Sequence, residues 1–172
     1  MRRPGKAASC AARVQDTMMD DVIVARALHV LGVVIWIGGA GMATMVILPA
    51  VRRGDLGADR LAAFQAIKRR FVWIARSAVI VVGLSGLFMV ARLDLWDRFL
   101  DPSFWWMHTM VIVWLLFAFV LFIGEPLVLH RIFPHWAKRD PETAFALLHQ
   151  MHWILLLLSL FAIAGAVAGS HG

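Results

Sequence analysis

The chain has 172 residues, of which 61% are hydrophobic, and its mean hydropathy is +0.76. A soluble domain is usually about 45–50% apolar, so this composition excludes an ordinary soluble fold and indicates a membrane protein. The formal net charge of +6 does not indicate nucleic-acid binding, because the basic residues cluster beside hydrophobic runs. The single cysteine, Cys10, excludes an intramolecular disulfide, covalent haem attachment and a multi-cysteine metal site.

Four apolar runs are each long enough to cross a bilayer, which takes about 20 residues. They extend over about residues 22–48, 71–90, 104–129 and 144–169. Because backbone polar groups in hydrocarbon must be satisfied within the segment, each run is predicted to be a helix. The predicted fold is an all-α integral membrane four-helix bundle over residues 21–170, with antiparallel neighbours because the connections are short.

Two polar segments precede the first and second spans. Residues 1–20 are predicted to be a disordered or polar tail. The polar and basic residues at the start of the chain lack the apolar core that a signal peptide needs, so no signal peptide is predicted there. Between spans one and two, Leu61, Phe64 and Ile67 recur at helical spacing. This pattern predicts an amphipathic helix over about residues 58–70 that lies on the membrane surface and runs into the second span.

The loops differ in charge, and the difference predicts the orientation of the chain. Basic residues are concentrated after spans one and three, whereas Arg92 and Arg98 after span two stand among aspartates. Cytoplasmic loops carry the excess of Lys and Arg. The sequence therefore predicts a multi-pass protein of the inner (plasma) membrane with both termini outside the cytoplasm. The basic residues of the two cytoplasmic loops are Arg52, Arg53, Arg60, Lys68, Arg69, Arg70, Arg131, Lys138 and Arg139.

Two histidines within the spans are the leading candidates for function, since polar residues in a bilayer are rare and expensive. His29 on span one and His108 on span three fall in the same half of the membrane. Two imidazoles that face each other across a bundle can provide the axial ligands of haem iron. Arg26, one turn before His29, is predicted to pair with a haem propionate. These residues predict that the protein is a b-type haem protein that transfers electrons, with a quinol or a redox partner subunit as the electron donor.

A second pair of histidines falls in the other half of the membrane. His149 and His152 are three residues apart on span four, so they face roughly the same way. They are candidates for binding a second haem b, which would need a further ligand from His130, Met42 or Met45. The alternative for all of these histidines is an interfacial position without a cofactor.

Arg76 and Glu125 are charged residues predicted to lie in the same half on neighbouring spans. An ion pair that holds the bundle together is favoured over catalysis at these positions. The proline that follows Glu125 predicts a kink in span three.

One motif in span one resembles two families of membrane proteins. It is the run Ala-Leu-His-Val-Leu-Gly-Val-Val-Ile-Trp-Ile-Gly-Gly of residues 27–39, in which Trp36 follows His29 by seven positions. The run resembles the first span of CopD-like proteins, as does Arg-Arg-Phe at residues 69–71 with the glycines of span two. HemJ-like proteins have a similar Leu-His followed by an aromatic residue. Their third span carries a histidine that His108 matches, and Met110 stands where that family has lysine.

The resemblances imply two alternatives to electron transfer. The HemJ-like resemblance implies a haem-containing protoporphyrinogen oxidase. The CopD-like resemblance implies copper transport, and copper(I) favours soft ligands such as Met42 and Met45. A cofactor-free assembly subunit, alone or as a homo-oligomer in the lipid bilayer, is a third alternative, in which the histidines would tolerate substitution.

Overall fold

The computed structural model describes residues 5–57 and 59–169, apart from the side chains of residues 5–18 and of residue 130. Every regular element in this part of the chain is helical. Two π-helical segments, Ala43–Ile47 and Val120–Ile132, interrupt the α-helices, and 3₁₀ turns at Trp96–Phe99 and Pro102–Phe104 precede α4. The α-helices are α1 Gly5–Met42, α2 Leu48–Arg53, α3 Arg60–Arg92, α4 Trp105–Phe119, α5 Phe133–Arg139 and α6 Pro141–Gly169.

Four helical segments are long and apolar enough to cross a membrane, which confirms the all-α, multi-pass membrane bundle. Spans one to four are Met19–Arg53, Arg60–Arg92, Pro102–Leu129 and Pro141–Gly169. Span one packs most extensively against span two, and span three against span four. The four spans alternate in direction. The connection with Asp94, Asp97 and Asp101 lies at one end, the acidic-loop end, and the connections after Arg53 and Arg139 lie at the other, the basic-loop end.

Two clusters of buried side chains hold the bundle together. The central cluster contains Trp36, Val79 and Phe117 from three different spans, with Leu156 from the fourth. At the basic-loop end, a second cluster joins the last turn of span one to α5 and the start of α6. Its members are Leu48, Val51, Phe64, Phe133, Ala137, Ala144, Phe145 and Leu148. Large apolar side chains on the outer faces are exposed, as expected for surfaces that contact lipid.

Two boundaries differ from those that the sequence suggests. Helix α1 begins at Gly5, so much of the segment expected to be a disordered or polar tail has helical backbone. Alanine is frequent there and has the highest helix propensity. The segment expected to form an amphipathic surface helix that runs into the second span is helical and is the first part of α3, which continues unbroken to Arg92, but it packs against the bundle. Phe64 packs against Phe133 and Phe145, with ring centroids 5.7 and 5.6 Å apart, so it faces the bundle.

The first π-helical segment leaves one backbone carbonyl free in span one. A backbone N–H in a π-helix bonds to the carbonyl five residues earlier, and the N–H of Leu48 accordingly bonds to Ala43. The next residue, Pro49, has no N–H, so the carbonyl of Thr44 is left without a backbone donor in this register. Thr44 is fully buried, and a buried carbonyl requires a partner.

Candidate functional site

His29 is held by span two in the orientation of a metal-binding imidazole. Its Nδ1 lies 3.0 Å from the carbonyl of Val82 and 3.2 Å from the hydroxyl of Ser85. Because a carbonyl only accepts, Nδ1 carries the proton, and Nε2 of the neutral ring keeps its lone pair. Metal-bound histidines usually donate their other ring N–H to a carbonyl or carboxylate in this way. Gly86 allows the close approach, since a Cβ there would stand 3.2 Å from Cε1 of His29.

Arg26 lies one helical turn from His29 toward the acidic-loop end, and its side chain is exposed. No ion pair joins it to a described residue. Two other arginines at this end do have partners: Arg92 pairs with Asp21 at 3.1 Å, and Arg98 lies over the ring of Phe104. Among these three arginines, Arg26 is therefore the one available to an external anionic group.

His108 contacts the connection between spans two and three rather than His29. Its Nδ1 lies 3.2 Å from the carbonyl of Phe104, and its Nε2 lies 3.0 Å from the carbonyl of Phe99. His29 lies beside Ser85, seven residues or roughly 10 Å before the end of α3 at Arg92, whereas His108 lies three residues into α4, roughly 5 Å. The two rings share one half of the bundle at different depths. Ligation of iron by Nε2 of His108 would require that nitrogen to leave the Phe99 carbonyl.

Aromatic side chains fill the centre of the bundle. Trp36 is 5% exposed and packs edge-to-face on Phe117, with ring centroids 4.8 Å apart. The indole N–H of Trp114 donates to the carbonyl of Val79 at 2.9 Å, whereas the indole N–H of Trp36 has no partner among the described residues. The structure thus places Trp36, the aromatic residue of the span-one motif, in the core.

Both ring nitrogens of His149 are engaged by span one. Nε2 lies 2.9 Å from the free carbonyl of Thr44, and Nδ1 lies 3.2 Å from Nη1 of Arg52. Arginine only donates, so Nδ1 accepts and Nε2 carries the proton that bonds to Thr44. This assigns a single neutral tautomer to His149. The histidine supplies the donor that Pro49 cannot, and it fixes one side of the Arg52 guanidinium.

Of His149 and His152, the two histidines of the predicted second haem site that the structure describes, His152 keeps a nitrogen for a ligand. Its Nδ1 donates to the carbonyl of Leu148 at 2.8 Å, which leaves the lone pair of Nε2. Met42 and Met45 are 59% and 56% exposed, so their sulfur atoms face away from the bundle. The side chain of His130, the remaining candidate ligand, lies outside the described residues.

A cluster of charges joins spans two and three, as the positions of Arg76 and Glu125 predict. Arg76 Nη2 lies 3.0 Å from the Glu125 carboxylate, and Lys68 Nζ lies 2.8 Å from its other oxygen. All three side chains are less than 20% exposed. Pro126 stands five residues after Leu121 in the second π-helical segment, so it leaves that carbonyl free. Arg76 donates to the Leu121 carbonyl through Nε at 3.1 Å and Nη2 at 2.9 Å.

The sequence did not indicate the roles of Arg52 and Lys68, which counted only as basic residues of cytoplasmic loops. The helices continue past the apolar runs, so both side chains reach partners inside the bundle. A proline within an apolar run is the signal that could have directed attention to them. Each such proline leaves a carbonyl that a polar side chain from another span must satisfy.

Within the described residues, no three His, Cys, Asp or Glu side chains are grouped closely enough to hold a metal ion by themselves. Comparison of the chain with protein-family models, curated proteins and solved structures found no match.

Proposed function

We propose that the protein is an integral membrane haem b protein in which His29 is an axial ligand. The observation that carries the proposal is the hydrogen bond from Nδ1 of His29 to the Val82 carbonyl. It fixes the ring and leaves the lone pair of Nε2 without a partner among the described residues, while Cε1 and Nδ1 lie beside Gly86. Among the four histidines predicted as cofactor ligands, His29 and His152 have this arrangement, and His29 also has Arg26 one turn away, which forms no ion pair with a described residue.

The neighbouring residues have distinct roles in this proposal. Arg26 binds an anionic propionate of the haem at the acidic-loop end. His108 would supply the second imidazole, which would require its Nε2 to leave the Phe99 carbonyl and its ring to move to the depth of His29. Bound haem supplies one-electron oxidation and reduction, and two imidazole ligands leave no open coordination position on the iron. We therefore propose electron transfer, with a quinol or a partner subunit as donor.

The proposal extends to the orientation in the inner membrane. The basic-loop end carries the excess of arginine and lysine and faces the cytoplasm. The acidic-loop end, His29 and both termini then face the outside. In a Cys10→Ser background, a membrane-impermeant maleimide should label Asp97→Cys in intact cells and leave Asp55→Cys unlabelled. The opposite labelling would reverse the orientation without affecting the haem proposal.

The absorption spectrum of the detergent-purified protein, with haem supplied during expression, tests the proposal. We expect a Soret band and, after reduction, the sharp α and β bands of low-spin haem. His29→Ala should abolish these bands because the iron loses a ligand, and His108→Ala should convert them to a high-spin spectrum. His135→Ala is the matched control, since His135 is exposed on α5, and its spectrum should match the parent.

Two outcomes would overturn the proposal. One is a parent protein that holds no haem under these conditions, and the other is an unchanged low-spin spectrum in His29→Ala. Protoporphyrinogen oxidase activity is tested separately by complementing a strain that lacks this enzyme. An electron-transfer protein should fail to complement, whereas growth would favour the oxidase alternative on the same haem site.

A further inference from the structure

A cleft of about 250 Å³ opens at the basic-loop end, between the end of span one and the start of span four. It lies far along the bundle from His29, at the end where the membrane meets the cytoplasmic loops. Its wall is polar and mostly charged. The lining residues are Pro49, Arg52, Arg53, Glu142 and His149.

Among the charged residues of this wall, Arg52 is the one that has no oppositely charged partner within the described part of the chain. Arg53 is neutralised by Asp55 at 2.8 Å, and Glu142 forms an ion pair with Arg60. Among the described residues, the neutral ring of His149 is the only hydrogen-bond partner of the Arg52 side chain. Its Nε is buried and has no acceptor among the described residues. A buried guanidinium N–H without an acceptor costs free energy, so the cleft lacks an acceptor for this group.

The guanidinium of Arg52 is held in place before any ligand binds. His149 accepts from Nη1 of Arg52 and is itself anchored by the Thr44 carbonyl, which Pro49 leaves free. Nη1 is therefore fixed, and the remaining N–H groups of the fork are available. A fork held in this way binds two oxygens of a phosphate or carboxylate side by side, which a lysine cannot do.

We infer that Arg52 binds a phosphate group in this cleft, with His149 as the positioning residue. Arg52 is the penultimate residue of span one, which places it at the level of lipid headgroups. The phosphate can therefore belong to an anionic lipid or to a soluble phosphate. This site does not depend on haem, and its test is independent of the spectrum.

The test uses the full chain in a maltoside detergent, which carries no phosphate. Calorimetry with inorganic phosphate measures the soluble ligand, and native mass spectrometry after exposure to phosphatidylglycerol measures the lipid. Arg52→Lys keeps the charge and removes the fork, so affinity for the bound probe should fall roughly tenfold or more. Arg69→Lys is the matched control, because Arg69 is exposed on α3 and does not line the cleft, and its affinity should match the parent.

A second variant tests the positioning role. His149→Leu leaves every positive charge of the cleft in place but frees Nη1 of Arg52, so phosphate affinity should fall while the net charge stays the same. Binding of either probe with this pattern of variants supports the site and identifies the source of the phosphate. Absence of binding for both probes, or equal losses in Arg52→Lys and Arg69→Lys, overturns it.

Discussion

Spans one and three each contain a backbone carbonyl that a proline leaves without a backbone donor, and the two carbonyls find different partners. In each, a proline leaves a carbonyl of a π-helical segment free, and a side chain from another span donates to it; Pro126 lies within its π-helical segment, and Pro49 lies just after its own. In span three the donor is Arg76, and Glu125 neutralises it within the chain. In span one the donor is His149, which also accepts a hydrogen bond from Arg52. No carboxylate among the described residues pairs with Arg52. A cluster that is complete joins the spans, whereas one that lacks an anion is suited to receive one.

The largest effect on stability is expected when the cluster of Lys68, Arg76 and Glu125 loses its carboxylate. Glu125→Gln removes the carboxylate and leaves Lys68 and Arg76 as two neighbouring cations with little exposure. Removing one partner of a buried ion pair leaves an uncompensated charge, so we expect the free energy of unfolding to fall by about 3 kcal/mol. The measurement is reversible unfolding in mixed micelles with increasing SDS.

Asp55→Asn is the matched control for Glu125→Gln, because it removes the carboxylate of an exposed ion pair. The side chains of Arg53 and Asp55 are 65% and 50% exposed, and such pairs contribute about 0–1 kcal/mol. Equal effects of the two substitutions would contradict a stabilising role for the buried cluster.

A smaller effect is expected when the span-one carbonyl loses its donor. His149→Leu leaves the buried Thr44 carbonyl unsatisfied, which should lower the free energy of unfolding by about 1–3 kcal/mol. His149→Gln places an amide N–H₂ near the same carbonyl and should recover part of this loss. The same SDS titration gives both values, and an unaltered His149→Leu protein would show that the carbonyl has another donor.

The smallest effect concerns Asp140, at the start of the helix that carries His149. Hydrogen bonds from the Thr143 hydroxyl and backbone N–H hold the pKa of the Asp140 carboxyl below its ordinary value. A lowered pKa in the folded state means that the stabilisation is present above the ordinary pKa and is lost as pH falls through the lowered one. Asp140→Ala should therefore lower the thermal midpoint slightly at about pH 7.

The pH dependence is the control for the Asp140 prediction. As the pH falls below about 4, where an ordinary Asp carboxyl begins to protonate, the midpoints of the parent and Asp140→Ala should converge. A difference that stays constant down to about pH 2 would show that the charge of Asp140 does not contribute.

The fold could be predicted because a bilayer allows few alternatives. Four apolar runs of this length indicate four membrane-spanning helices. The structure confirms the four helices, and they extend beyond the apolar runs. A helix over about residues 58–70 that runs into the second span was predicted, but its packing against the bundle and the pairing of Lys68 with Glu125 were missed, because hydropathy does not show which partners a basic residue reaches. The π-helical segments were also missed. They depend on the hydrogen-bond register, and only the proline of span three gave a sign of irregularity.

The candidate sites could be predicted only in part. Arg76 and Glu125 were paired correctly because both lie at similar depth on neighbouring spans. Haem ligation by His29 and His108 stays a prediction, and the structure adds which nitrogen of each ring is engaged. The partnership of His149 with Arg52 could not be predicted, since it depends on a carbonyl whose availability is decided by Pro49 rather than by either side chain.

The pairing of Pro126 with Arg76 has a consequence for how this chain can change. A span that loses the proline regains an N–H for Leu121 and no longer needs a guanidinium from its neighbour. A span that keeps the proline but loses the arginine exposes a bare carbonyl to hydrocarbon. The two residues lie on different helices, yet substitution of Arg76 is penalised as long as Pro126 remains, so a descendant chain should lose the arginine only together with the proline or after it.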